Sequence, residues 1–275
     1  MKFTSSNSWT IQSHIEQAIR FKIEKHGMPL KDWNISINRG VLTGFNEAFI
    51  ISGEKRTELI SIDPKSAEVI RPILRGRDIK RYNCTFADIW LINIHNGIKS
   101  RNVPPVDVNN YPAIKQYLDN YYDKLASRND KGDTPYNLRN CVYMDDFSKP
   151  KIIFQEMVLE PAFYLDNDIH YMCLDTGRII VGEQLEYLLA LLNSKIFFFA
   201  VKKFYGGGGL GNKGIRMKHT FFQHFHAIKP DEELKEKISL ELNKNPINYE
   251  EIDNIFYELY ELTNDEINFI KSDVD

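Results

Sequence analysis

Apolar residues recur at helical spacing near the start of the chain. Ile11, Ile15, Ala18, Ile19 and Ile23 share one side of IQSHIEQAIRFKIEKH, and Gly27-Met28-Pro29 stops the run, which predicts a helix over residues 11–26. From Trp33 to Ile62 the pattern shortens to alternation broken by Gly40 and Gly44; this predicts strands and tight turns, with EAFII at 47–51 the clearest strand. TELISIDPKSAEVIRPILRG, interrupted by Pro64 and Pro72, reads as two short helical pieces, and DIWLINI at 88–94 as a buried strand. The Pro- and Asn-rich stretch 102–112 predicts a loop. AIKQYLDNYYDKLASR predicts a helix with Ile114, Tyr117, Leu118, Tyr121, Tyr122 and Leu125 on its apolar side. KIIF, AFYL and RIIV follow as three strands, separated by the turn chemistry of LDND and DTG. The densest apolar run, Leu185 to Phe204, predicts one buried helix of about 20 residues. Glu186, Asn193, Ser194, Lys195, Lys202 and Lys203 break it too often for a membrane span. Beyond Pro230 lie two acidic helices, DEELKEKISLELNK and YEEIDNIFYELYEL, and a terminal one opened by Thr263 with Glu266 three residues on.

These elements predict an α+β fold with a mixed sheet and inserted helices. Three segments follow: a helical lead-in from an upstream domain over 1–38, a main domain over 39–230, and an acidic helical tail over 231–275. The tail's Ile252, Ile255, Phe256, Leu259, Tyr260 and Leu262 are placed to pack on the main domain or on a catalytic part outside this chain. A chain of 275 residues, 43% apolar and 12% aromatic, can bury a sizeable core. Cys84, Cys141 and Cys173 lie far apart and form no CxxC pair, which excludes a disulfide scaffold or zinc ribbon and fits a reducing cytoplasm. The first residues lack the basic-then-apolar order of a signal peptide.

The net charge of −3 hides an asymmetry. Residues 231–275 hold 14 acidic and 4 basic residues, net −10, leaving 24 acidic and 31 basic residues, net +7, in 1–230. A basic body can bind a polyanion through one face, because distribution matters more than the sum; two solvated surfaces of different sign fit the charge equally.

Catalytic signatures fail on spacing or context. GGGGLG at 206–211 satisfies GxGxxG, but an apolar helix precedes it and a basic, strand-like stretch follows, the reverse of a dinucleotide fingerprint. Asn212 between Gly211 and Lys213 also breaks the P-loop spacing. NVPPV at 102–106 has one residue too many and no aromatic for the Asn/Asp-Pro-Pro-aromatic loop of amine methylation. Pro230-Asp231 and Glu233-Leu234-Lys235 touch at the start of one helix, where a nuclease's carboxylates would need a hairpin between them. His219, His224 and His226 have no further ligand nearby to complete a zinc site. No Gly-x-Ser-x-Gly elbow is present. No catalytic, cofactor-binding or metal-binding residue is therefore assigned.

Cations gather at three places: Arg75, Arg77, Lys80 and Arg81 around Gly76; Lys124, Arg128, Lys131 and Arg139 about a turn carrying Tyr136 and Asn137; and Lys202, Lys203, Lys213, Arg216 and Lys218 about the glycine run with Asn212. Flexible cations suit phosphates, while Arg forks and amides such as Asn137 and Asn212 suit base edges. RGRDIKRY equally suits an internal ion-paired turn.

Five segments in order, GVLTGFNEAFII, VIRPILRGRDIKRY, NDKGDTPYNLRNCVYMDDFSKPKIIFQEM, YLLALLNSKIFFFAVKKFYGGGGLGNKGIRM and IFYELYELTNDEINFI, resemble the TaqI-like C-terminal specificity domain over nearly the whole chain. This is the target-recognition portion of bacterial adenine-specific methyltransferases and single-chain type II restriction-modification enzymes. The resemblance implies a partner, double-stranded DNA, whose sequence 39–230 reads. It also implies an upstream methyltransferase domain that uses S-adenosylmethionine and flips adenine, with no enzyme activity and no membrane contact in this chain alone. On this view Arg75, Arg77, Lys80, Arg81, Arg128, Lys131, Tyr136, Asn137, Arg139, Asn212, Lys213, Arg216 and Lys218 are the DNA-binding candidates, and His95 to Tyr122 the variable part. A separate specificity subunit recruiting a methyltransferase, and a small enzyme holding a nucleotide on Gly206–Gly211, are the alternatives.

Overall fold

KIIF, AFYL and RIIV do form strands. With Ile35–Arg39 they build an antiparallel sheet in the order Phe163–Asp166, Lys151–Gln155, Gly177–Gly182, Ile35–Arg39. This architecture is that of a computed structural model, which describes residues 12–206 and 214–274. Successive side chains of a strand face opposite ways, and this central sheet is covered on both faces. Ile152, Phe154 and Ile180 enter one core, and Ile153, Ile179 and Val181 the other. Double burial is why these strands read as continuous apolar runs instead of alternating ones.

The first core joins both ends of the chain. Ile19 and Ile23 of the helix His14–His26 meet the apolar helices of 185–200 and the tail's Ile238, Ile252, Ile255, Phe256, Tyr260 and Ile270. Leu259 and Leu262 pack partly buried on its margin. Polar fasteners reinforce this: Lys22 Nζ donates to Glu266 Oε2 at 2.7 Å, and Tyr260 OH to the His226 carbonyl at 2.7 Å. The border drawn after residue 38 falls inside the strand Ile35–Arg39, while Asp231 caps the helix Glu232–Leu242, so the lead-in and the tail both share the main core. No helix among the described residues is long and apolar enough to cross a membrane.

The second core lies under a smaller sheet ordered Met172–Cys173, Ile70–Leu74, Ile89–Ile92, Ile50–Ser52, parallel in its first pair and antiparallel in the others. Helices Gly53–Ile62, Pro112–Asp119 and Tyr122–Ser127 cover it. The mixed α+β expectation holds, with four local corrections.

EAFII is mostly a helical turn, Asn46–Phe49, because Thr43 Oγ1 bonds both Asn46 and the Phe45 N–H; only Ile50 and Ile51 enter a strand. VIRPIL is a strand, not a helix. Pro72 sits where pairing with Ile89–Ile92 ends and pairing with Met172–Cys173 begins, so it interrupts neither ladder midway. The helix of 113–128 breaks at Asn120, whose side chain donates to the Gln116 and Tyr117 carbonyls. The run from Leu185 is likewise three pieces, Leu185–Leu192, Lys195–Ala200 and the wide turn Val201–Tyr205. Asn193 clamps the Phe163 backbone, accepting at 3.1 Å and donating at 2.9 Å, and Ser194 caps the next helix.

Candidate nucleic-acid interface

The end of the central sheet where Lys151–Gln155 finishes and Gly177–Gly182 begins draws distant cations together. Register places Arg178 opposite Arg39 on neighbouring strands. Just past Gln155, Glu156 is nearly buried and holds two guanidiniums: Arg178 Nη2 donates to Oε2 at 2.7 Å and Arg216 Nε to Oε1 at 2.8 Å. Arg216 arrives on the strand Ile215–Arg216, which pairs with Met157–Val158, and the Met217 N–H donates to the Glu156 carbonyl. Arg39 is fixed by Asp175, with Nη2 2.9 Å from Oδ2.

A carboxylate shared by two arginines presets their geometry while leaving donors over, since a guanidinium carries five N–H groups. Arg216 is 51% exposed, and its terminal amino groups make no hydrogen bond among the described residues. Burial first, then the Arg178 and Lys218 charges, hold the His219 imidazole below its ordinary value, with Glu156 opposing them. His219 is therefore neutral at pH 7, beside a surface with more cations than carboxylates.

Two other basic clusters reach this end. Arg139 lines one cleft of about 180 Å³ with Arg39, and is 58% exposed while paired to Asp130 at 2.9 Å. On the opposite side, Gly76 lets the backbone of the RGRDIKRY turn lie directly on the Gln155 side chain, where a Cβ would come within 2.3 Å of Oε1. Arg77 and Lys80 stand exposed on this turn and form no ion pair among the described residues.

Other candidates are turned inward. Arg75 grips Asp78 through Nε and Nη2, both at 2.9 Å, realising the internal ion-paired reading of this turn. Burial pulls the Asp78 carboxyl up, but the Arg75 bonds and the Arg75 and Arg77 charges prevail and hold it below its ordinary value. Arg81 faces the tail, 3.5 Å from buried Asp253 and stacked 4.5 Å from the Tyr249 ring. Arg128 is buried, donating to the Thr43, Pro135 and Asn137 carbonyls over the Phe49 ring; desolvation lowers its pKa to about 10, so it stays charged at pH 7. Asn137 is buried beside it, donating to the Val106 and His95 carbonyls at 2.9 and 3.3 Å. Arg128 and Asn137 thus hold the loop instead of facing a groove.

Lys131 donates to the Ala126 carbonyl, and Tyr136 binds Asp119 beneath Lys115. Lys202 and Lys203 are tied to Asp273 of the last helix. Lys218 is half-buried next to Arg216, while Asn212 and Lys213 lie outside the described residues, as does most of the glycine run.

Sequence reasoning missed Arg39, Arg178 and the organising pair Gln155-Glu156. Each stands alone among apolar neighbours, and only strand register brings them together; FQEM, with two polar residues closing an apolar strand, was the available signal.

The family model for the TaqI-like C-terminal specificity domain matches residues 71–212. A curated relative, the type II methyltransferase M.BstVI of Geobacillus stearothermophilus, is 20% identical over 276 residues, covering 98% of this chain and 47% of that protein. Among solved structures, the type IIL restriction-modification enzyme MmeI, in complex with DNA, superposes with a TM-score of 0.63 at 11% identity over 90% of this chain and 36% of its own. The type IIG restriction endonuclease BpuSI gives 0.56 at 13% identity over 94% and 32%. At these identities the two structures establish the fold. The chain spans about half the length of the methyltransferase it matches and about a third of each solved enzyme.

Proposed function

The chain belongs to the TaqI-like C-terminal specificity domain family, and from that premise we propose that it recognises a particular sequence in double-stranded DNA on behalf of a larger DNA-modifying enzyme. The observation that carries the reading is the arginine row at the sheet end, Arg139, Arg39, Arg178 and Arg216, with Glu156 holding the last two. Phosphates are engaged by the exposed cations Arg77 and Lys80, together with Lys213 and Lys218 about the glycine run. Base edges are read by guanidinium forks from the row, the side chains whose geometry is preset. Arg75, Arg81, Arg128 and Asn137 hold the fold together and make no DNA contact in this reading.

The catalytic part, a methyltransferase that uses S-adenosylmethionine and acts on adenine, belongs to the remainder of the enzyme, upstream in the same polypeptide. This chain contributes recognition only, in a bacterial cytoplasm. Fluorescence anisotropy of the isolated chain with a labelled duplex tests the electrostatic part. Affinity is expected to fall steeply between about 50 and 200 mM salt, linearly in log–log form; salt-independent affinity, or none at low salt, contradicts it.

A further inference from the structure

Away from the arginine row, a cavity of about 420 Å³ opens where the 95–111 loop meets the edge of the smaller sheet, within the size range of small-molecule sites. Its wall is preorganised. Buried Asp166 pairs with buried Lys151 at 2.7 Å and also accepts the His170 and Tyr171 N–H groups at 3.0 and 2.8 Å. This anchorage carries the chain through Ile169 at φ +62°, a conformation a β-branched residue rarely adopts and one that neighbouring structure must enforce. Tyr171 is set beside Phe86 and Tyr164 as a result.

Among the described residues, two lining side chains lack their full complement of partners. Asn93 Oδ1 is buried and has no donor among the described residues, an arrangement that is costly unless something fills it. His95 accepts the Gly97 N–H on Nδ1 at 3.0 Å, which leaves its proton on Nε2. Desolvation lowers the His95 pKa against the pull of Asp145, so the ring is a neutral donor. Asn93 and His95 thus line the cavity with an unfilled acceptor and a neutral donor, and Tyr111 and Tyr171 are also part of its lining. Glu68 and Asp145 on its wall outnumber Arg71 and oppose a phosphate.

We propose that this cavity binds a nucleobase, gripping a donor–acceptor edge with Asn93 and His95. The base is carried by a free nucleoside or turned out of a duplex. The choice of a base over other planar amides rests on the DNA role proposed above.

Titration calorimetry of the intact chain with each of the four deoxynucleosides tests the site. A second arm follows 2-aminopurine fluorescence in a duplex carrying that base as a single-nucleotide bulge, against the fully paired duplex. Binding of at least one deoxynucleoside, weakened roughly tenfold by Asn93→Ala and by His95→Ala, supports the proposal. A 2-aminopurine change confined to the bulge and lost in both variants supports the duplex as the source; nucleoside binding without it supports the free ligand. If either variant unfolds, Asn93→Asp, which keeps the acceptor, must retain binding. No nucleoside binding and no bulge-specific signal, in protein that still binds paired duplex, overturns the cavity assignment and leaves the DNA reading standing. Nucleoside binding without any duplex binding does the reverse.

Discussion

Arg128 and the pair Arg77 and Lys80 should respond to substitution in opposite ways, although all three look alike in the sequence. Arg128→Met removes the only donors that the described residues offer to the Thr43 and Pro135 carbonyls, whereas the Asn137 carbonyl keeps the Gly132 N–H at 2.9 Å. Each orphaned carbonyl, buried at Thr43 and half-buried at Pro135, costs about 1–3 kcal/mol, partly offset because a charge no longer needs desolvating. The net loss is about 2–4 kcal/mol, a fall in Tm of roughly 5–15 °C for a chain of this size. The salt dependence of DNA binding should stay unchanged, because Arg128 is enclosed. Arg77→Ala with Lys80→Ala should leave Tm within about 2 °C and lower the log–log salt slope by about 1.8, near 0.9 for each lost phosphate contact. Calorimetric melting and anisotropy from about 50 to 200 mM salt read both quantities. An Arg128→Met protein that melts like the wild type but loses salt slope would refute the buried assignment.

Arg216→Ala with Lys218→Ala should weaken duplex binding more than Lys235→Ala with Lys237→Ala, although each deletes two positive charges; equal losses in folded proteins by anisotropy would show that location is irrelevant. Burial raises the Glu266 pKa, but the Lys22 and Thr263 bonds prevail and leave it below its ordinary 4.5. Its stabilisation is therefore complete above about pH 4.5 and is lost as pH falls through the lower folded value. Glu266→Gln should cost about 1–2 kcal/mol at pH 7 and progressively less in acid, and a melting deficit that grows on acidification reverses the sign. Calorimetric titration with S-adenosylmethionine should give no binding heat; micromolar affinity would place a cofactor site in this chain.

Helix and strand identity was legible where burial follows one period. The tail's apolar stripe and the Thr263 cap predicted its last two helices and their packing, and the three central strands were evident as short apolar runs. Errors arose where a polar side chain overrides periodicity through a distant backbone partner: nothing local to Asn193 reveals that it clamps Phe163, thirty residues away. Cation clusters likewise marked charge but not direction. Arg77 and Arg81 are four residues apart, yet one faces solvent and the other Asp253, a distinction set by how the tail docks. Arg39 and Arg178 meet only through strand register, which single-sequence patterns do not specify.

Sequence-selective binding is the central claim, and selection from a pool of random duplexes by the isolated chain at low salt tests it most directly. Rounds of capture and amplification should enrich one short motif, and repeating them with Arg39→Ala or Arg216→Ala, each melting like the wild type, should relax the preference at particular positions of that motif. A retained pool that stays random through successive rounds would contradict sequence reading by this chain and reduce the arginine row to a nonspecific phosphate contact.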